Sequence, residues 1–404
     1  MKFSTGLIAA VFGVISAAAG ETVSVGAGYA NDVFYHVEAR AKAGEAPNAN
    51  WDIAFETKGF TGSILINGGA GVTLWATELT GADGFKQTID TNALFASASW
   101  FNSSLTWHQG AFNMDKDASA GDFGWGRYNP QTHEVKGTTV FVAKLPDGTT
   151  RKIFMDGLAG DNFTFRYANI DGTDEQAKTF RRNEYAAKSF VYFSVRTGQF
   201  LDREPAAADW HLVFGKYQTI VTEPVTSPYV VTGVRSNVGV KIAKYKGANP
   251  AGATDAGLQY LENITAIGHD WKMFNNGWSI ADDVAYFVQI PSVGTYKIIF
   301  TGFGGQATGN INFTVEDAVT SVEEDNTSFA VFPNPASGAA TVVFAAAGTA
   351  ELTLTDATGR VVRTESFSGA NGLTPLDLTG LPQGVYMLSL TSGTSRLARQ
   401  IVVR

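Results

Sequence analysis

The chain has 404 residues, enough for two or three domains that each bury a core. Only 17% of them are charged and 44 are glycine, a composition of short strands and turns, and the net charge of −8 excludes nucleic acid and anionic membrane surfaces as main partners. The absence of cysteine excludes disulfides, thiol catalysis and Cys-ligated metal or cluster sites together.

The first element, residues 1–19, reads as a signal peptide. Lys2 is its positive end, Leu7 to Ile15 its apolar stretch, and Ala17 and Ala19 are the small residues before a cut ahead of Gly20. No later run is long and apolar enough for a transmembrane helix, so no transmembrane segment is expected. From there the chain alternates apolar and polar residues in short runs, as in "VFYHVEA" (33–39), "TVFVAKL" (139–145) and "FVYFSVRTG" (190–198), each bounded by Gly, Pro, Asn or Asp. That pattern predicts an all-β body.

The body repeats itself. "NWDIAF" (50–55) is echoed by "DWHLVF" (209–214), and each follows an aromatic strand, "VFYHV" (33–37) or "VYFSV" (191–195). "FVAKLPDGTTRKIF" (141–154) matches "YFVQIPSVGTYKIIF" (286–300), with Lys152 and Lys297 each six residues after the proline. "FGWGRYN" (123–129) and "NNGWSIA" (275–281) come between these boxes, in the same order. Two related antiparallel β-units are expected, over 20–170 and 184–317, joined by a polar stretch. Trp51, Trp125, Trp210 and Trp278 fall in the matched boxes. Their roles divide between core packing, where the indole N–H needs an acceptor, and a stacking platform for a flat ligand.

An acidic linker follows at 318–327, and then the composition shifts. Residues 319–404 contain no Trp, His or Lys, and seven short strands recur at regular spacing over 328–404, the rhythm of a small seven-stranded Ig-like β-sandwich. In "FPNP", Pro333 and Pro335 fix φ around the turning residue Asn334. In "DATGR", Gly359 takes a hairpin position of positive φ beside Arg360, and Gly384 opens the strand that holds Tyr386.

Enzymatic signatures are lacking: the chain has no HExxH, GxSxG or P-loop pattern. Asp115, Asp117 and Asp122 crowd one loop without regular calcium-loop spacing, which reads as a solvated acidic loop. Of five histidines, His36 and His211 sit inside strand boxes and His133 in a polar turn. His108 and His269 lie in glycine-containing loops beside Trp107 and Trp271, ahead of the Gly-Trp box of their unit.

Two resemblances follow from these motifs. The aromatic strand ending in "TG" and the "WDIAF"-type box resemble the HmuY-like proteins of Bacteroidota, secreted or surface all-β proteins whose founding members capture haem through His or Met. The resemblance implies a non-enzymatic ligand-binding protein with haem as candidate ligand, and His108 and His269 are then the candidate axial donors. The alternative is a surface or matrix protein that binds polysaccharide or protein without haem. This chain departs from the family by holding two units and by having His211 where the first box has Asp52. The C-terminal motifs "FPNP", "DATGR", "LTGLPQGVYML" (378–388) and "ARQIVVR" (398–404) resemble the type A sorting domain of the type IX secretion system. That resemblance implies the secretion machinery as partner and a secreted or cell-surface location, reached through the periplasm and across the outer membrane.

Overall fold

A computed structural model describes residues 19–404, apart from 60, 118–120, 222–226, 319–327, 346–348, 369–370 and 393–394. The signal peptide up to residue 18 and nearly all of the expected linker lie outside the described residues. The chain divides into two compact units, a body ending at Ala318 and a C-terminal unit from Val319. Both are built of mostly antiparallel strands, and the few short helices among the described residues all lie in the body.

The body stacks four larger sheets, beside a two-stranded one. The first outer sheet carries strands between Thr73 and Arg181, and the second carries Ala19–Ser24 with four strands between Lys241 and Asp317. Two inner sheets of four strands lie between them. One orders Gln199–Leu201, Phe190–Ser194, Ile53–Glu56 and Ile64–Ile66. The other orders Ala41–Pro47, Asn31–His36, Leu212–Val221 and Ser227–Ser236.

Successive side chains of a strand point to opposite faces, and the inner strands are apolar on both. Ile53 and Phe55 face the first outer sheet and join Phe141, Ile153 and Phe165 in one core. Tyr35, Leu212 and Phe214 face the second outer sheet, with Ile298 and Phe313. The alternate residues Phe34, Ala54, Leu65, Tyr192 and Val213 meet in a third apolar layer between the two inner sheets.

The repeated boxes occupy matching places, but they are exchanged between halves. The box strand Ile53–Glu56 does not pair with the aromatic strand just before it in sequence. Ile53 pairs with Phe193 and Ala54 with Tyr192, while Leu212 pairs with Tyr35 and Val213 with Phe34. Each inner sheet therefore takes two strands from either half. The cores do not follow the expected boundaries of 20–170 and 184–317: residues 23–37 belong to the core of the second half, and residues 190–201 pack on that of the first. Connection length explains why sequence alone misses this, since pairing a neighbouring or a distant partner leaves the same apolar pattern.

The twin lysines are both buried. Lys152 bonds the carbonyl of Gln87 at 3.1 Å, and Lys297 bonds that of Ala251 and pairs with Glu316 at 3.0 Å. Each pins a long connection onto its outer sheet, a structural use of a repeated cation.

The C-terminal unit has seven strands from Ser328 to Val403 around its own core, which includes Leu354, Tyr386, Leu388 and Ile401. Its first strand pairs with Ala339–Ala345 up to Phe332, and beyond the Pro-Asn-Pro segment Ala336 pairs with Val403 instead. "FPNP" is thus where one strand passes between the two layers of the sandwich.

Candidate functional site

His108 and His269 are not brought together. His108 is nearly half exposed, and its Nδ1 lies 2.5 Å from Oε1 of the buried Glu56. Thr61 and the amide of Ser63 take the other carboxylate oxygen. His269 is part-buried near Lys272, and burial, then that cation, lowers its pKa. Neither ring makes a contact with the other. His133 bonds the Tyr128 hydroxyl at 2.7 Å on the surface.

The other two histidines do meet. The rings of His36 and His211 are 4.3 Å apart, edge to face, in the exchanged strands. Nδ1 of His211 accepts from the amide of Val37 at 3.1 Å, so the ring is held in its neutral form. Burial, then His36, pushes its pKa down to about 4. Asp52 fills the matching place in the first box, where it accepts from Ser194 and from the side chain and amide of Arg196. Asp117 and Asp122, in the acidic loop, are met by Arg127.

The matched tryptophans take three different roles. Trp125 is fully buried and donates to the carbonyl of Gly62 at 2.9 Å, a satisfied core residue. Trp278 is exposed on the hairpin Lys272–Phe274 and Trp278–Ile280, edge to face with Phe274. Trp51 and Trp210 lie in the layer between the inner sheets, 7% and 3% exposed, and among the described residues neither indole N–H has an acceptor. The other buried indoles, Trp75, Trp107 and Trp271, all donate to carbonyls.

Around Trp51 and Trp210 the layer opens as a cleft, with about 40 Å³ of free space, room for about three waters. Gly68 and Gly69 form part of its wall. A Cβ on Gly69 would come within 2.5 Å of the Lys216 carbonyl, so only glycine lets this loop lie flat on the strand. Two arginines enter the cleft differently. Arg203 pairs with Asp32 at 2.8 Å and lies over the rings of Tyr192 and Trp51 at 4.8 and 5.6 Å. Arg235 lies over Trp107 at 4.7 Å and Tyr217 at 5.1 Å. Glu204 is occupied by the amides of Ser189 and Phe190 and by the Tyr192 hydroxyl. Desolvation, the largest influence on Glu204, raises its pKa.

Sequence reasoning found Trp51 and Trp210 but missed Arg203, Tyr217 and Arg235. The signal available for Arg235 was a charge in the run "VVTGVRS", among residues that alternate toward a core.

In the C-terminal unit the expected motif residues form a connected set. The Asn334 side chain donates to the carbonyl of Gln400 at 2.7 Å and accepts from the amide of Val402 at 2.9 Å, so "FPNP" is hydrogen-bonded to the closing "ARQIVVR". Gly359 has φ of 84°, and Asp356 binds the amide and side chain of Arg360 across the same turn. Bonds from Thr358, then Arg360, hold the Asp356 carboxyl down at about 2. Gly384 pairs with Val403, and the buried Tyr386 donates to the carbonyl of Pro382 at 2.8 Å.

Residues 330–404 match the family model of the secretion system C-terminal sorting domain. No curated protein is matched by the chain. Among solved structures it is similar to dimeric latent PorU from Porphyromonas gingivalis, at 13% identity and a TM-score of 0.18, over 67% of this chain and 26% of that one. The chain thus spans about a quarter of the length of that structure. The C-terminal unit is a type IX sorting domain, recognised by that secretion machinery, and the protein is exported across the outer membrane to the surface or the medium.

Proposed function

We propose that the exported body is a non-catalytic binding protein, and that the cleft between its inner sheets receives a small molecule. One observation carries this reading: Trp51 and Trp210, twins in the two boxes, both keep a buried indole N–H without an acceptor. A buried donor left unpaired costs about 1–3 kcal/mol, and two at matching places are best explained by a ligand that completes them. The acids at the cleft are already engaged, Asp32 by Arg203 and Glu204 by two amides and the Tyr192 hydroxyl, and its rings and amides are groups that hold a molecule. The test is tryptophan fluorescence of the mature chain during titration with a panel of small aromatic, sugar and acid ligands. A saturable change that Trp51→Phe and Trp210→Phe both weaken supports the reading, and a flat response to the whole panel removes it.

A second reading, haem capture by an HmuY-like body, has one observation in its favour. Glu56 takes Nδ1 of His108 and leaves Nε2 free, the arrangement in which a carboxylate orients a metal-binding imidazole. The cleft itself has no room for a porphyrin as it stands, so haem would sit at the surface by His108. A Soret band on haem addition, lost in His108→Ala, is the expected sign; its absence in both iron oxidation states would discard haem.

A further inference from the structure

The two box strands, Ile53–Glu56 and the start of Leu212–Val221, hold matching positions in their sheets, and their pairing registers differ at one informative position. Ala54 of the first box pairs with Leu65, and Val213 of the second pairs with Arg235. Arg235 therefore stands where the other half has a buried leucine. An apolar layer that accepts leucine on one side has been given a cation on the other.

That cation has no counter-charge of its own. Among the described residues, the Arg235 guanidinium makes neither a hydrogen bond nor an ion pair; its neighbours are the faces of Trp107 and Tyr217. The acid facing it, Asp32, is already committed to Arg203 at 2.8 Å and Asn48 at 2.7 Å. Desolvation, ahead of every other influence, lowers the pKa of the part-buried Arg235, and the charge of Asp32 acts the other way. The Tyr217 hydroxyl is also buried and partnerless. A guanidinium fork, two indole N–H groups and a phenol can all donate and together carry one positive charge, which calls for a negatively charged acceptor. The acceptors Asn48 Oδ1 and Gln218 Oε1, also without a partner among the described residues, line the same cleft and suit a ligand that has a donor as well. The free space suits a small head group.

We infer that the cleft binds a small organic carboxylate, with Arg235 as the residue that selects its charge. This rests on the binding reading above and assigns its ligand class. A carboxylate matches the fork of an arginine in two parallel hydrogen bonds, and the flanking rings of Trp107 and Tyr217 keep the guanidinium plane fixed.

The test uses the mature chain, Gly20 to Arg404, titrated by calorimetry and tryptophan fluorescence with propionate and benzoate, their neutral amides, and inorganic phosphate. Saturable binding of an acid, with its amide at least about tenfold weaker, is expected. Arg235→Leu, which copies the twin position, is expected to remove that preference, and circular dichroism checks its fold. Should that variant not fold, Trp210→Phe keeps the ring, removes one donor and is expected to weaken the acid about threefold. Amides that bind as well as their acids would overturn the carboxylate and leave the cleft as a binding site. Phosphate binding with neither acid would overturn the ligand class. No saturable binding of any of these would overturn this inference and count against the cleft itself.

Discussion

At the scale of single residues, the body contains groups that cost stability in place. His211 is neutral and tied to the Val37 amide, with a pKa near 4 instead of the usual value of about 6.5. Below pH 6.5 the unfolded chain takes up a proton that the folded one refuses until about pH 4, so stability falls across that window and is unaffected above it. The urea midpoint should therefore drop between pH 7 and pH 4.5, and His211→Gln should flatten the drop. An equal pH dependence in that variant would assign the effect elsewhere. Arg235 is a second such group, a part-buried cation where the twin half has leucine. Arg235→Leu should raise the melting temperature of the ligand-free protein, by about 1 kcal/mol of stability, because a part-buried charge without an ion pair among the described residues is replaced by apolar packing. A lower melting temperature would mean that the stacking on Trp107 and Tyr217 outweighs the desolvation of the guanidinium.

At the scale of elements, the exchanged strands decide how the body can fold. A fragment of residues 20–170 would keep Asn31–Pro47 and Ile53–Ile66 but lose the strands that each pair with, leaving Phe34, Trp51 and Leu65 without their layer. Neither 20–170 nor 184–317 should fold alone, and co-expression should recover a one-to-one complex; circular dichroism and size exclusion would show it. A monomeric, cooperatively melting fragment 20–170 would mean that its strands can re-pair within the half. The strands themselves were legible, because the apolar alternation at 139–144 and 190–194 and the Pro and Gly around it are local signals. The twin boxes were legible as repeats for the same reason. Which box meets which aromatic strand was not, since both partners present the same residues at the same period. At the site, Trp51 and Trp210 stood out by their repetition. Arg235 did not, since its meaning lies in the register that sets it opposite Val213, and register is a property of the folded sheet.

At the scale of the whole molecule, folding and export are assigned to different parts of the chain. The strand Asn310–Asp317 lies between Ala19–Ser24 and Gly294–Phe303, and the Ala318 amide bonds the Thr295 carbonyl, so the body is closed before the acidic stretch begins. The sorting domain has a separate core. A chain ending at Asp317 therefore keeps every sheet of the body and should melt like the body of the full protein. Having lost residues 330–404, which the secretion machinery recognises, it should stop in the periplasm. Fractionation of cells that produce this truncation tests the division: body in the periplasm and none at the surface is expected, with a normal melting curve to show that misfolding is not the cause. Its arrival at the surface or in the medium at normal levels would remove the sorting role from the C-terminal unit. Mass spectrometry of exported full-length protein adds an independent measure. If the sorting domain is cut off after use, the new C-terminus should fall between Ala318 and Phe332, since beyond Phe332 the bonds of Asn334 to the closing strand protect the backbone.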